Sequence, residues 1–114
     1  MMEKELLEKS MSACDAGRYD LAIRLGKELL AKGIPTGFYA LGLVYAVLED
    51  WHLAKENCLK AYEYFPNIPD NLNRLGVSFC QLGNIKQGLY FFKEGMDLGD
   101  AYCRENYNYW KNRI

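Results

Sequence analysis

Any chemistry in this 114-residue chain must come from four cysteines, one histidine and scattered carboxylates. Cys14, Cys58, Cys80 and Cys103 lie far apart, with no C-x-x-C pair, and His52 stands alone. A structural zinc site takes about four Cys or His ligands, usually in close pairs, so the spacing predicts no metal. Spacing alone leaves disulfides open. The reading adopted is four reduced cysteines serving as small hydrophobes in a cytoplasmic protein. His52 follows Trp51 at the start of a helix, with no Cys or Ser placed to act as its nucleophile. No local feature lowers the thiol pKa of Cys14 or Cys80. Gly76, Gly83 and Gly88 fall on helices and a turn with no strand before them, and no phosphate loop, H-E-x-x-H or calcium loop occurs. The expectation is a protein that is not an enzyme and needs no cofactor.

Charge and hydropathy narrow the partners. Fourteen Lys and Arg against fifteen Asp and Glu give a net charge of -1, with no excess to draw in a phosphate backbone. Aromatic residues make up 14% of the chain, which raises base stacking on single-stranded RNA as a reading. Most of them fall at helical packing positions, so no nucleic acid is expected. The start Met1-Met2-Glu3-Lys4-Glu5 lacks the apolar core of a secretory signal. The longest apolar run, residues 37–48, is well short of the roughly 20 residues that cross a bilayer. A soluble chain with no membrane insertion is expected.

The elements that would position these residues are written about three times over. Leu41-Gly42 and Leu75-Gly76 recur 34 residues apart. In both settings an apolar residue precedes Leu-Gly by three and an aromatic follows Gly by three: Phe38 and Tyr45 in one copy, Leu72 and Phe79 in the other. This spacing puts each set on one helical face. A polar break follows, where Asp50 and Asn84 are suited to cap a second helix. Ala54 and Ala61 in that helix are answered by Gly88 and Gly95. Glycine inside a helix costs about 1 kcal/mol relative to alanine, so close helix packing is expected at Gly88 and Gly95. A weaker copy precedes these two, with Leu6, Ser10 and Ala13 on one stripe of a helix from about Glu3 to Ala16 and a second helix from about Asp20 to Lys32. Gly33 and Pro35 end that copy.

These residues resemble the tetratricopeptide repeat, a 34-residue helix-turn-helix with a large apolar residue, Leu-Gly, an aromatic, a small Ala, a second aromatic, another Ala and a closing Pro. The middle copy carries it best, as Phe38, Leu41-Gly42, Tyr45, Ala54, Ala61 and Pro66. The third has Leu72, Leu75-Gly76, Phe79, Gly88, Phe92 and Gly95, with Asp100 where the Pro would recur. The first departs most, with Lys9-Ser10 in place of Leu-Gly, Gly26 for the aromatic and Leu29 for the last small residue. The resemblance implies an all-α fold: three hairpins, 3–34, 35–68 and 69–100, stacked as a right-handed α-solenoid. Stacking is required physically, because a lone hairpin cannot bury its apolar faces. In the tail, Cys103, Tyr107, Trp110 and Ile114 fall on one side of a last helix, which is expected to cap the stack over 101–114.

Proteins of this family bind an extended peptide or a helix in the concave groove lined by the first helix of each hairpin. Carried onto this chain, the resemblance places Leu7, Met11 and Cys14 there from the first copy. It adds Tyr39, Leu43, Ala46 and Val47 from the second, and Asn73, Arg74, Val77, Cys80 and Gln81 from the third. Members that clamp an acidic C-terminal tail hold Lys, Asn and Arg in slots occupied here by Leu7, Met11, Ala40, Asp70 and Arg74. Only Arg74 fits, so the groove is expected to take an apolar or amphipathic segment of another protein. The competing class is a self-assembling scaffold that forms homo-oligomers through apolar repeat surfaces.

Overall fold

Left-handed turns and short polar residues cut the chain into helices of similar length. The computed structural model describes residues 2–114. It contains α1 (Glu3–Asp15), α2 (Tyr19–Ala31), α3 (Thr36–Val47), α4 (Trp51–Tyr64), α5 (Pro69–Gln81), α6 (Ile85–Asp97) and α7 (Ala101–Trp110), with no strand among the described residues. After α2, Gly33 takes φ +76°, a conformation that side chains with a Cβ resist. In the α3–α4 turn the same role falls to Glu49 at φ 58°. Asp50 caps α4, its Oδ1 accepting from Leu53 N at 3.3 Å, as its position suggests. Asn84 makes no such side-chain bond at α6. Asp100 caps α7 by accepting from Cys103 N at 2.8 Å, which gives a reason for its presence where the repeat would close on proline.

The helices pair as hairpins, α1 with α2, α3 with α4 and α5 with α6, and each hairpin packs on the next. Small residues allow the close approach. Ser10, the stand-in for glycine in the first copy, is buried and donates its hydroxyl to Ala22 O at 2.9 Å, so a polar side chain there is satisfied rather than costly. A Cβ on Gly42 would lie 2.7 Å from Cys58 Sγ, and one on Gly76 would lie 2.5 Å from the Phe92 ring. Leu-Gly therefore receives the middle of the second helix of its own hairpin. Ala54, Cys58 and Ala61 are fully buried along α4. Between hairpins, buried Asn71 on α5 donates to Cys58 O at 3.0 Å. The core is correspondingly a series of clusters, around Leu6 and Leu29, around Leu41 and Val44, and around Leu72, Leu75 and Phe91, as expected when each unit touches only its neighbours.

The same contacts set the curvature. α1 touches α3, α3 touches α5 and α5 touches α7, whereas the backbones of α2, α4 and α6 stay apart from one another. The layer of first helices is thus the tighter one, and the slab curves toward it. Longer side chains bridge the outer layer: Tyr62 on α4 donates to the Glu94 carboxylate on α6 at 2.9 Å. The extents of 45 × 23 × 21 Å are those of a short stack.

α7 packs on α5 and α6 and not on α1 or α3. It continues the inner layer and leaves the surface of α1 and α3 uncovered. Cys103 is fully buried at its start, and Tyr107 and Trp110 are half-buried. The expected helix over 101–114 is corrected at its end: α7 stops at Trp110, and Ile114 is 73% exposed. No helix is long and apolar enough to cross a membrane among the described residues.

Candidate concave interaction surface

All twelve expected groove residues lie on the first helices of the hairpins, α1, α3 and α5. Leu7 and Met11 on α1, Tyr39, Leu43 and Ala46 on α3, and Asn73, Arg74 and Val77 on α5 are half-buried, while Val47 and Gln81 are exposed. Half-burial suits a wall whose side chains lean on the core and still present a flank. Leu43 packs against the cluster around Leu41 and Val44, and Leu7 against that around Leu6 and Leu29.

Two of the twelve expected residues do not line an open wall. Cys14 is only 4% exposed and Cys80 only 3%. Cys80 follows Gly76 by four and shares the stripe that meets α6, and Cys14 follows Ser10 by four and packs in the cluster with Ala22, Leu41 and Val44. Cys80 Sγ sits where a Cβ on Gly88 would have to go. Burial raises the Cys14 thiol pKa, with Asp15 adding to the rise and Arg74 opposing it. Burial pushes Cys80 up to about 11 and Cys58 to about 12 against a weaker pull from Arg74. Cys103 rises to about 12 through burial and its contact with Asp100. Thiols held protonated are poor nucleophiles and poor metal ligands. All four cysteines are free, and no group of three His, Cys, Asp or Glu is arranged to hold a metal among the described residues.

Arg74 is the electrostatic centre of the wall. Its guanidinium carbon lies 5.0 Å from the Tyr39 ring centroid, so it reaches from α5 onto α3. Its Nη1 is shut off from solvent and meets no hydrogen-bond acceptor. Among the described residues the one ion pair is Lys60 with Glu63 at 3.7 Å on α4, and Arg74 meets no carboxylate.

The last helix, expected as a cap, also touches the candidate wall. Asn106 Nδ2 donates to Asn73 Oδ1 at 2.7 Å. A cleft of about 570 Å³ opens between α5 and α7, lined by Val77, Gln81, Glu105, Asn106, Tyr109 and Trp110. The signal was obscured because α7 begins at Ala101, earlier than a 34-residue step from Pro69 would place it. The wall thus has two halves, an apolar one of Leu7, Met11, Leu43 and Val47 and a polar one built on Asn73, Gln81 and Asn106, with Arg74 and Tyr39 at the join.

No family model matches the sequence, and no curated protein matches it. Solved structures do. The TPR domain of Sgt2 from Aspergillus fumigatus superposes with a TM-score of 0.86 at 17% identity, over 97% of this chain and 78% of that one. Yeast Tom70 matches with a TM-score of 0.78 at 22% identity, over 95% of this chain and 23% of Tom70. The MamA D159K mutant matches with a TM-score of 0.66 at 18% identity, over 96% and 86% of the two chains. With its paired helices, its Leu-Gly contacts and these neighbours, the chain has the tetratricopeptide-repeat fold.

Proposed function

We propose that this protein is an interaction module whose inner surface binds an apolar or amphipathic segment of another protein, as an adaptor or chaperone-like domain. The supporting observation is the stretch of half-buried Leu7, Met11 and Leu43 on α1 and α3, on which α7 does not pack among the described residues. Burying two or three large partner side chains contributes about 1.5–3 kcal/mol each, and ordering the segment offsets part of that. A micromolar complex needs about 8 kcal/mol, so the affinity is expected to be about micromolar or weaker. Arg74 adds one cation without a carboxylate partner, which suits a segment that carries an acceptor. Reduced, buried cysteines fit a reducing compartment such as the cytoplasm.

Self-assembly has less to support it. Exposed charges on α1 and α7, Glu5, Lys9, Arg104 and Glu105, stand beside exposed Tyr102 and Tyr109, so stacking of copies would desolvate charge as well as cover apolar surface. Light scattering over a range of concentrations separates a monomer from a growing stack.

The binding reading is tested by Leu43→Asp. Circular dichroism should show an intact helical fold while a partner recovered with the wild-type chain is lost. A folded variant that keeps its partner overturns the reading.

A further inference from the structure

We propose a second docking site, at the turn end of the third hairpin: the cleft between the α5–α6 turn and the segment after α7 binds an acidic stretch of a partner protein, which inserts one large apolar side chain among Phe79, Ile85 and Ile114. None of the residues lining this cleft is among the twelve of the inner surface, so the site holds or fails independently of the binding reading above.

The cleft has a volume of about 560 Å³. Half-buried Phe79 and Ile85 and exposed Ile114 supply its apolar surface, and Asn84, Lys86 and Gln87 its polar edge. Phe79 is held in place from two sides of the fold. Its ring stacks on that of Phe91 on α6, with centroids 5.5 Å apart, and the Lys55 ammonium on α4 lies 5.6 Å from its centroid. A fixed aromatic ring beside two branched side chains suits an apolar group that enters from outside, because the surfaces of both then leave water.

Charge selects the occupant. Residues 71–93 contain Arg74, Lys86 and Lys93, residues 106–114 contain Lys111 and Arg113, and all fifteen Asp and Glu of the chain lie outside these two stretches. The cleft forms where the two stretches meet. Lys86 lines it, Lys55 reaches its aromatic ring, and exposed Lys111 and Arg113 lead into Ile114. None of these four cations forms an ion pair among the described residues. A local positive field of this kind, in a chain of net charge -1, draws in an acidic segment and turns away a basic one. A bilayer fits less well, since lipid binding uses apolar side chains that protrude, whereas Phe79 and Ile85 are half-buried.

The test uses the full chain. A phage-displayed library of random dodecapeptides is selected in parallel on the wild type and on Lys86→Glu, a change at an exposed position that should leave the circular dichroism spectrum as it is. The wild type should enrich peptides in which Asp or Glu surround one large apolar residue, and Lys86→Glu should not. A synthetic peptide of that class should bind Lys86→Glu about 10-fold more weakly, and wild type about 10-fold more weakly once its apolar residue is replaced by alanine. Added salt should weaken binding. On the wild type, the peptide should shift the amide NMR signals of Gly83, Lys86 and Gln87 and leave those of Leu43 and Val47 in place, a measurement that needs no variant. Failure to enrich an acidic class, or equal affinity for the alanine peptide, overturns the proposal. Shifts confined to the inner surface also overturn it, with the inner-surface reading intact. Flotation with phosphatidylserine vesicles that Lys86→Glu abolishes would assign the patch to a lipid surface and overturn it too.

Discussion

The Arg74 guanidinium on α5 lies 5.0 Å from the centroid of the Tyr39 ring on α3, a contact that joins the second and third hairpins across the inner surface. The ring face is electron-rich and attracts the cation, by about 0.5–2 kcal/mol depending on exposure. A double-mutant cycle of Tyr39→Leu and Arg74→Met, read by urea unfolding, should give a coupling energy in that range. Additive effects would show that the contact contributes nothing. Lysine at 74 should not restore the coupling in full, since it lacks the planar group that lies over the ring.

Close approach inside the third hairpin depends on Gly88. Alanine is favoured there by helix propensity, by about 1 kcal/mol. Its Cβ, however, would lie 2.7 Å from the carbonyl oxygen of Gly76 and against Cys80 Sγ, and overpacking of this kind costs about 1–3 kcal/mol. Two contacts this short put the cost toward the upper end of that range, so Gly88→Ala should destabilise by up to about 2 kcal/mol in chemical unfolding. Adding Cys80→Ala, which removes the sulfur, should return part of the loss. A neutral or stabilised Gly88→Ala protein would mean that the helices are not held this closely.

Three buried thiols tie stability to alkaline pH. Cys58 and Cys103 are pushed to about 12 and Cys80 to about 11, from an ordinary 9.0. The folded state holds these protons more tightly than the unfolded chain does. Its advantage is complete below the ordinary thiol value and is lost as pH rises from there through the folded values. Tyr62 acts in the same direction: burial, and then its bond to Glu94, raise it to about 12. Unfolding midpoints measured from pH 7 upward should be flat at first and fall above about pH 9. In the native protein at pH 8, a thiol reagent such as DTNB should react slowly, and all four cysteines should react once denaturant is added. Rapid reaction of Cys58 or Cys103 in the native state would contradict the packing described.

Much of this architecture was legible in the residues because its determinants are local. Leu41-Gly42 and Leu75-Gly76 announce helix contact, and Ser10 fits the same slot because it is small and finds Ala22 O within reach. Asp100 was read as a departure from the repeat and is in fact a helix cap. The wall was harder to read. Cys14 and Cys80, at a step of four from Ser10 and Gly76, stay buried, which the family pattern alone does not indicate. Spacing marks Trp110 as part of one side of α7, but Asn106 gives no such signal, because its place depends on how α7 docks on α5. Partnering of Arg74 with Tyr39 likewise appears only when two hairpins are set side by side.

Site-specific photocrosslinking tests the central claim most directly, with benzoylphenylalanine placed at Val47 on the inner layer or at Lys60 on the outer helix α4, both exposed. Irradiation in native lysate should give one discrete crosslinked polypeptide from position 47 and none from position 60. A partner captured from position 60 and absent from position 47 would contradict binding on the inner surface.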